Sequence, residues 1–335
     1  MDNIFKKYYI AMAVYIIPFL IIVICCSVRT DYEITTPGGV SKVDERFVIE
    51  NGYDSNDLYS LYVYSIKNAT LFQNLIASFT DLFETSEIND NYSHMTDDMW
   101  YQAGVIQKNQ SEEACLINAY EYASLTNENI SINYTYEGVI VRITTAQSNV
   151  FKIGDILTHV NDVKISSLNQ FSDDSRDDYI KLKLTDKLTI TRDEEVFNHV
   201  LSEGDTLGVG FYDKFTILNT TPSYIINPTS SIGPSAGMMQ TLSIYNQLIG
   251  NDLTIKDNVK RSIAGTGTIE SDGTIGAIGG VTQKVYSAFE SGANILIMSK
   301  DNEEEALSAY NKIKNKEKMQ LIIVNNFAEV IQCLI

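Results

Sequence analysis

The chain opens with a nearly unbroken apolar run, Tyr8 to Val28, that carries no charge and is long enough to cross a bilayer as a helix. Pro18 lies inside it and is tolerated in that setting. The pattern then shortens. A Thr36-Pro37-Gly38-Gly39 turn precedes a strand-like stretch at Phe47 to Ile49, and Leu58 to Ile66 alternates loosely, as a strand does. Leu71, Leu75, Phe79, Leu82 and Phe83 recur at helical spacing, and residues 85–95 are polar and read as a loop. Residues 96–124 predict one or two amphipathic helices, with Ser111 as an N-cap ahead of Glu112 and Glu113.

A different texture begins near Tyr134. Glu137-Gly138 turns into the apolar Val139-Ile140-Val141, and Gly154-Asp155 turns into Ile156-Leu157 and, further on, Val160-Asn161. Acidic residues crowd together at Asp173, Asp174, Asp177 and Asp178, and Leu188 to Arg192 reads as a closing strand. From about Leu207 short apolar runs alternate with helical segments, which argues for an α/β domain. Strands are expected at Asp213 to Leu218, Tyr224 to Asn227, Lys260 to Ile269, Ile295 to Met298 and Leu321 to Val324. Helices are expected after Ser235, where Met238, Leu242, Tyr245 and Ile249 share a face and Gly250 ends the run. Others are expected at Val281 to Glu290, Glu303 to Ile313 and Phe327 to Leu334.

The 335 residues leave room for two domains, or for one with an insertion, and the 44% hydrophobic content suffices for real cores. With 25 basic against 43 acidic residues the surface is a poor match for nucleic acid. Cys25, Cys26, Cys115 and Cys333 form no CxxC or zinc-type spacing, and His94, His159 and His199 form no HExxH pair, so no metal is expected. Lys6 and Lys7 precede the apolar run, which leaves a few residues in the cytoplasm and everything after Val28 outside. A cleaved signal peptide is the rival reading. The run is long for a signal segment, and no clean Ala-x-Ala site follows it.

Two stretches carry candidate chemistry. Gly233-Pro234-Ser235-Ala236-Gly237 puts a serine at a helix N-terminus, where free backbone N–H groups suit an oxyanion. Gly279-Gly280 is followed by Lys284 at the start of an apolar helix, where partial desolvation would favour a neutral amine. A serine hydroxyl needs such a base. The two motifs, in this order and at this separation, resemble the proteolytic domain of the Lon family. That resemblance implies a Ser235–Lys284 dyad, with Gly233, Pro234 and Ala236 around the serine and Thr266 of Gly265-Thr266-Gly267 supporting the lysine. Ile232 departs from the family, whose ATP-dependent members often have an acidic residue there. No GxxxxGK[ST] occurs in the chain, so no ATP or other cofactor is expected.

The 134–166 stretch is similar to the core of PDZ domains. By that resemblance Gly138, Val139 and Ile140 would line a peptide-binding nest. A β-rich spacer that binds nothing is the alternative. The fold implied is an α/β Lon-type proteolytic domain with an inserted, mainly-β PDZ-like domain and one N-terminal transmembrane helix. Its divisions would be 1–7 cytoplasmic, 8–28 transmembrane, 29–130 packing with the protease domain, 131–204 PDZ-like and 205–335 proteolytic. The function expected is that of an ATP-independent serine endopeptidase, anchored in a bacterial cell membrane and cleaving polypeptides outside it. The alternative is a non-catalytic, membrane-tethered peptide-binding adaptor; a histidine-assisted hydrolase is a third, weaker reading. Homo-oligomeric rings are expected by resemblance alone.

Overall fold

The computed structural model describes residues 2–53, 57–92, 94–145, 148–172, 175 and 179–335. The aspartates at 173, 174, 177 and 178 therefore lie outside the described residues. Helix α1 (Asp2–Ser27) contains the apolar run up to Ser27, with Pro18 inside it, and its Lys6–Ser27 portion is long and apolar enough to cross a membrane.

Strands β1 (Tyr32–Lys42), β2 (Phe47–Ile49) and β3 (Leu58–Ile66) follow, then helix α2 (Leu71–Ala77), strand β4 (Glu84–Glu87) and helix α3 (Asp97–Ser124). The turn expected at Thr36–Gly39 is instead a bulge. β1 runs through it paired to β3, with a register shift between Pro37 and Gly39. Proline and glycine in a strand mark such bulges. α3 is one helix, capped by Thr96, whose side chain accepts the Met99 N–H. Ser111 is thus no N-cap. It lies mid-helix in a buried stripe of small residues (Ser111, Cys115, Ala119 and Ala123 at four-residue spacing) that admits a close neighbour.

The next unit is an antiparallel sheet. Its elements are β5 (Ser131–Thr144), β6 (Ile156–Val160), β7 (Val163–Lys164), α4 (Asn169–Ser172), β8 (Lys187–Arg192), β9 (Glu195–Val200) and β10 (Val209–Thr221), with strand order β10-β5-β6-β8-β9. It has its own core, built on Val139, Val141, Phe151, Leu157, Leu188 and Ile190. Fully buried Asp155 is neutralised by two hydrogen bonds from Arg192, at 2.6 and 2.7 Å. The boundary expected at 205 falls inside this unit, because β10 pairs with β5 over nearly its whole length. Phe211 packs into the inserted core, whereas Ile217 packs into the core of the α/β unit, so the ladder joins the two.

The α/β unit continues with β11 (Tyr224–Ile226), which pairs with β2, then α5 (Gly237–Ile249) and a hairpin of β12 (Ile255–Lys256) and β13 (Val259–Lys260). β14 (Ile263–Thr266), α6 (Val281–Glu290), β15 (Ile295–Ser299), α7 (Glu303–Lys312), β16 (Gln320–Val324) and α8 (Phe327–Leu334) complete it. The single strand expected over Lys260 to Ile269 is divided between the hairpin and β14. It ends at Thr266 because the Gly267 N–H donates to Ser235 O instead of to a neighbouring strand. The main sheet has the order β16-β15-β14-β3-β1-β4. β16, β15, β14 and β3 run parallel, and β1 pairs antiparallel with both β3 and β4. The upstream segment therefore supplies half of the strands.

Both faces of the sheet are covered. Along β15, Ile295 and Ile297 face a core shared with α3, α5 and α8, while Leu296 and Met298 face a core shared with α6 and α7. This alternation follows from the two-residue period of a strand. β14 repeats it with Ile263 on the first side and Ala264 on the second.

Gly138 is held against β6. Its φ is +147°, and a Cβ there would lie 2.3 Å from the Leu157 carbonyl oxygen. Gly138→Ala is expected to destabilise the protein by about 3 kcal/mol or more, read by denaturant unfolding.

Candidate active site

Ser235 lies in a short loop that α3 clamps from one side. The Gly233 N–H donates to Gly104 O at 3.1 Å, with Gly233 at φ +90°. Ser111 Oγ and the Gly237 N–H both donate to Pro234 O, at 3.3 and 3.0 Å. Cys115 Sγ donates to Gly237 O at 3.2 Å, and burial pushes that thiol up to about 12, so it stays protonated. α5 begins just after the loop without a side-chain cap. The Gly237 and Met238 N–H groups are taken by Pro234 O and Gly267 O. The backbone donors left beside the serine are those of Ser235 and Ala236, which have no acceptor among the described residues.

The second half of the site comes from the other face of the sheet. Gly265 brings β14 against α5, where a Cβ would lie 2.5 Å from Met239 Sδ. The next residue, Thr266, belongs by strand alternation to the α6 face, and it is fully buried. Lys284 on α6 is 2% exposed and donates from Nζ to Thr266 Oγ1 at 3.2 Å. Thr266 Oγ1 in turn donates to Ser235 O at 3.0 Å. A serine before one helix and a lysine on another thus meet at the carboxyl end of β14, the usual place for sites in open parallel sheets. No hydrogen bond joins Ser235 Oγ to Lys284 Nζ; the threonine links the lysine amine to the backbone carbonyl of Ser235. Such contacts often tighten only once substrate is bound.

Burial lowers the Lys284 amine from its ordinary 10.5 to about 8. Holding the proton in this site costs roughly 3 kcal/mol relative to water. Between pH 8 and 10.5 the unfolded chain binds a proton that the folded site has released. The penalty this group places on folding is therefore relieved as pH rises through that window.

Beside the serine loop opens a cleft of about 410 Å³, between the end of β1 (Ser41, Lys42) with the adjoining Val43 and the stretch bearing Asn227, Pro228, Thr229, Ser231 and Gly233. Arg46 forms one wall and is held by Nε and Nη2 bonds to Glu112 Oε1, at 2.9 and 2.6 Å, with both side chains largely buried. Lys42, Glu45 and Lys108 also line the cleft.

The expected dyad residues and their flanking Gly233, Pro234, Ala236 and Thr266 are gathered at one place. Gly138, Val139 and Ile140 are not at an open edge. β5 is flanked by β10 and β6 there, and the Val139 and Ile140 side chains are buried, so the expected nest is not formed. The histidines lie away from the serine: His94 near Thr144, His159 beside Thr158 and His199 on Asp205 at 2.7 Å. Ser111, Cys115, Arg46 and Glu112 were missed as site residues. The small-residue stripe on α3 is the signal that could have found the first two.

Residues 211–335 match the family profile of the Lon protease (S16) C-terminal proteolytic domain. Among individual proteins, the chain is 32% identical over 145 residues to the Lon protease of Malacoplasma penetrans, covering 42% of this chain and 18% of that one. It is 33% identical over 108 residues to the Lon protease of Vibrio parahaemolyticus (32% and 13%) and 28% over 144 residues to that of Clostridioides difficile (40% and 17%). The chain thus spans less than a fifth of the length of these relatives.

The site makes a prediction that needs no activity assay. Lys284, followed by its 13Cε shift, is expected to titrate near 8 in the intact protein. Thr266→Val removes an acceptor that the ammonium uses better than the neutral amine, so the midpoint should fall further. An ordinary lysine titration would contradict the buried site.

Proposed function

We propose that the chain is a membrane-anchored, ATP-independent serine endopeptidase that uses Ser235 as nucleophile and Lys284 as base. The observation that carries this reading is the bridge from Ser235 O through Thr266 Oγ1 to a buried amine whose pKa burial lowers to about 8. The similarity of residues 211–335 to a proteolytic domain supports it independently. Neutral Lys284 takes the Ser235 proton as Oγ attacks the peptide carbonyl. The Ser235 and Ala236 N–H groups receive the oxyanion. The lysine ammonium then protonates the leaving amine, and the freed amine activates water to hydrolyse the acyl-enzyme.

In this reading α1 spans the cytoplasmic membrane with Lys6 and Lys7 inside, and everything after Val28 is outside. The inserted β unit, which resembles a PDZ core, presents extended polypeptide. With Gly138–Ile140 paired on both sides, an added strand is accommodated at the outer strand β9 instead. The adaptor alternative is weaker, because it offers no role for the buried amine.

The test is cleavage of an unstructured polypeptide such as casein, without ATP, by the full chain in detergent. The rate should rise with pH around a midpoint near 8, as Lys284 loses its proton. Ser235→Ala and Lys284→Met should each lower it by about 10³-fold or more, with the fold retained. Undiminished turnover in either variant would remove the dyad. Lys284→Met should also be the more stable protein at pH 7, because it relieves a buried charge.

A further inference from the structure

Helix α2 is built inside out. Its outer face carries Leu71, Phe72, Leu75 and Ile76, and Phe79 follows just after it; all five are exposed, Phe79 at 79%. The side turned to the protein holds half-buried Gln73 and Asn74 and buried Ala77. A soluble surface helix shows the reverse arrangement. No charged residue occurs from Asn68 to Thr80, so the whole patch is uncharged as well as apolar. The helical spacing of Leu71 and Leu75 is real, yet it faces away from the core, and the helix stops at Ala77, short of Phe79, Leu82 and Phe83.

The position of this patch relative to α1 is fixed by hydrogen bonds. The Leu71 N–H donates to Val28 O at 3.2 Å, and the Thr30 N–H donates to Ala69 O at 3.0 Å. Asn74 Nδ2 donates to Thr30 Oγ1 at 2.8 Å, and Arg29 and Thr70 form a bridge. α2 is thus bonded to the residues that directly follow α1. Wherever the end of α1 leaves an apolar phase, the outer face of α2 is at the same level.

We propose that the Leu71–Phe79 face is a bilayer contact, entering the headgroup–acyl boundary beside the exit of α1. The inference rests on α1 being a membrane span. Continuity with that span, together with the absence of charge, selects lipid as the occupant over a second copy or a partner protein. The contact is apolar and not electrostatic, so it should persist in zwitterionic lipid and in high salt. It gives the catalytic unit a second hold on the membrane and so fixes its orientation, where a single helix would leave it free to swivel.

The experiment uses the full chain in phosphatidylcholine vesicles. Trp100 is the one native tryptophan, so Trp100→Phe gives a silent background. Phe79→Trp then reports on the patch. Leu125→Trp, at the far end of the 28-residue α3, about 40 Å from the end that bears Trp100, serves as control. Lys67, next to the start of the α2 segment, has its Nζ 3.6 Å from the Trp100 ring, so the control lies far from the patch. The proposal expects blue-shifted emission from Phe79→Trp that phosphatidylcholine brominated on its acyl chains quenches several-fold, in low and high salt, with Leu125→Trp unaffected. Unquenched emission in a chain that resists carbonate extraction overturns the proposal and leaves the span intact. Blue-shifted but unquenched emission means that protein covers the face, and also overturns it. A chain extracted by carbonate refutes the span itself, and the proposal with it.

Discussion

One buried amine constrains the rest of this structure. Lys284 is held in a core built from α6 and α7 on one face of the sheet, among Val281, Val285, Ala288, Leu61 and Ala264. Leu61 comes from β3 and Ala264 from β14, strands contributed by segments about two hundred residues apart in the chain and paired in parallel. Without β3, α6 would lose part of the surface that keeps water from the amine, and its pKa would return toward 10.5. The upstream segment is therefore part of the α/β unit, although the family match begins only at residue 211.

The serine side depends on the opposite face. α3 lends Gly104, Ser111 and Cys115 to hold the loop at Gly233, Pro234 and Gly237, and the buried Arg46–Glu112 pair ties the same helix to the wall of the cleft. Breaking such a pair would leave a largely buried charge with no partner. The inserted sheet is coupled to this assembly through β5 and β10, whose ladder begins in one core and ends in the other. The two cores should therefore unfold together.

The helices at Val281–Glu290 and Phe327–Leu334 and the strand at Leu58–Ile66 were legible residue for residue from their apolar spacing. The Ser235, Thr266 and Lys284 positions were legible through short motifs that resemble a known domain. Other features were set by partners distant in sequence. Ser111 reads locally as a cap, yet the uninterrupted α3 buries it because a second helix needs small residues there. Pro37 to Gly39 reads as a turn, but β3 pairs on both sides of it and makes it a bulge. Gly138 reads as the start of a ligand nest; the approach of Leu157 makes it a packing requirement instead.

β1 has one more consequence. It starts at Tyr32, four residues beyond Val28, and reaches the cleft at Ser41 and Lys42. An extended strand of that length measures about 30 Å. In the proposed reading, with α1 in a bilayer and α2 at its boundary, β1 would act as a ruler that sets an upper limit on the height of the cleft beside Ser235. On the proposed activity, a polypeptide tail would have to climb to that height to be cut, so reach alone would sort potential targets before any side chain is recognised.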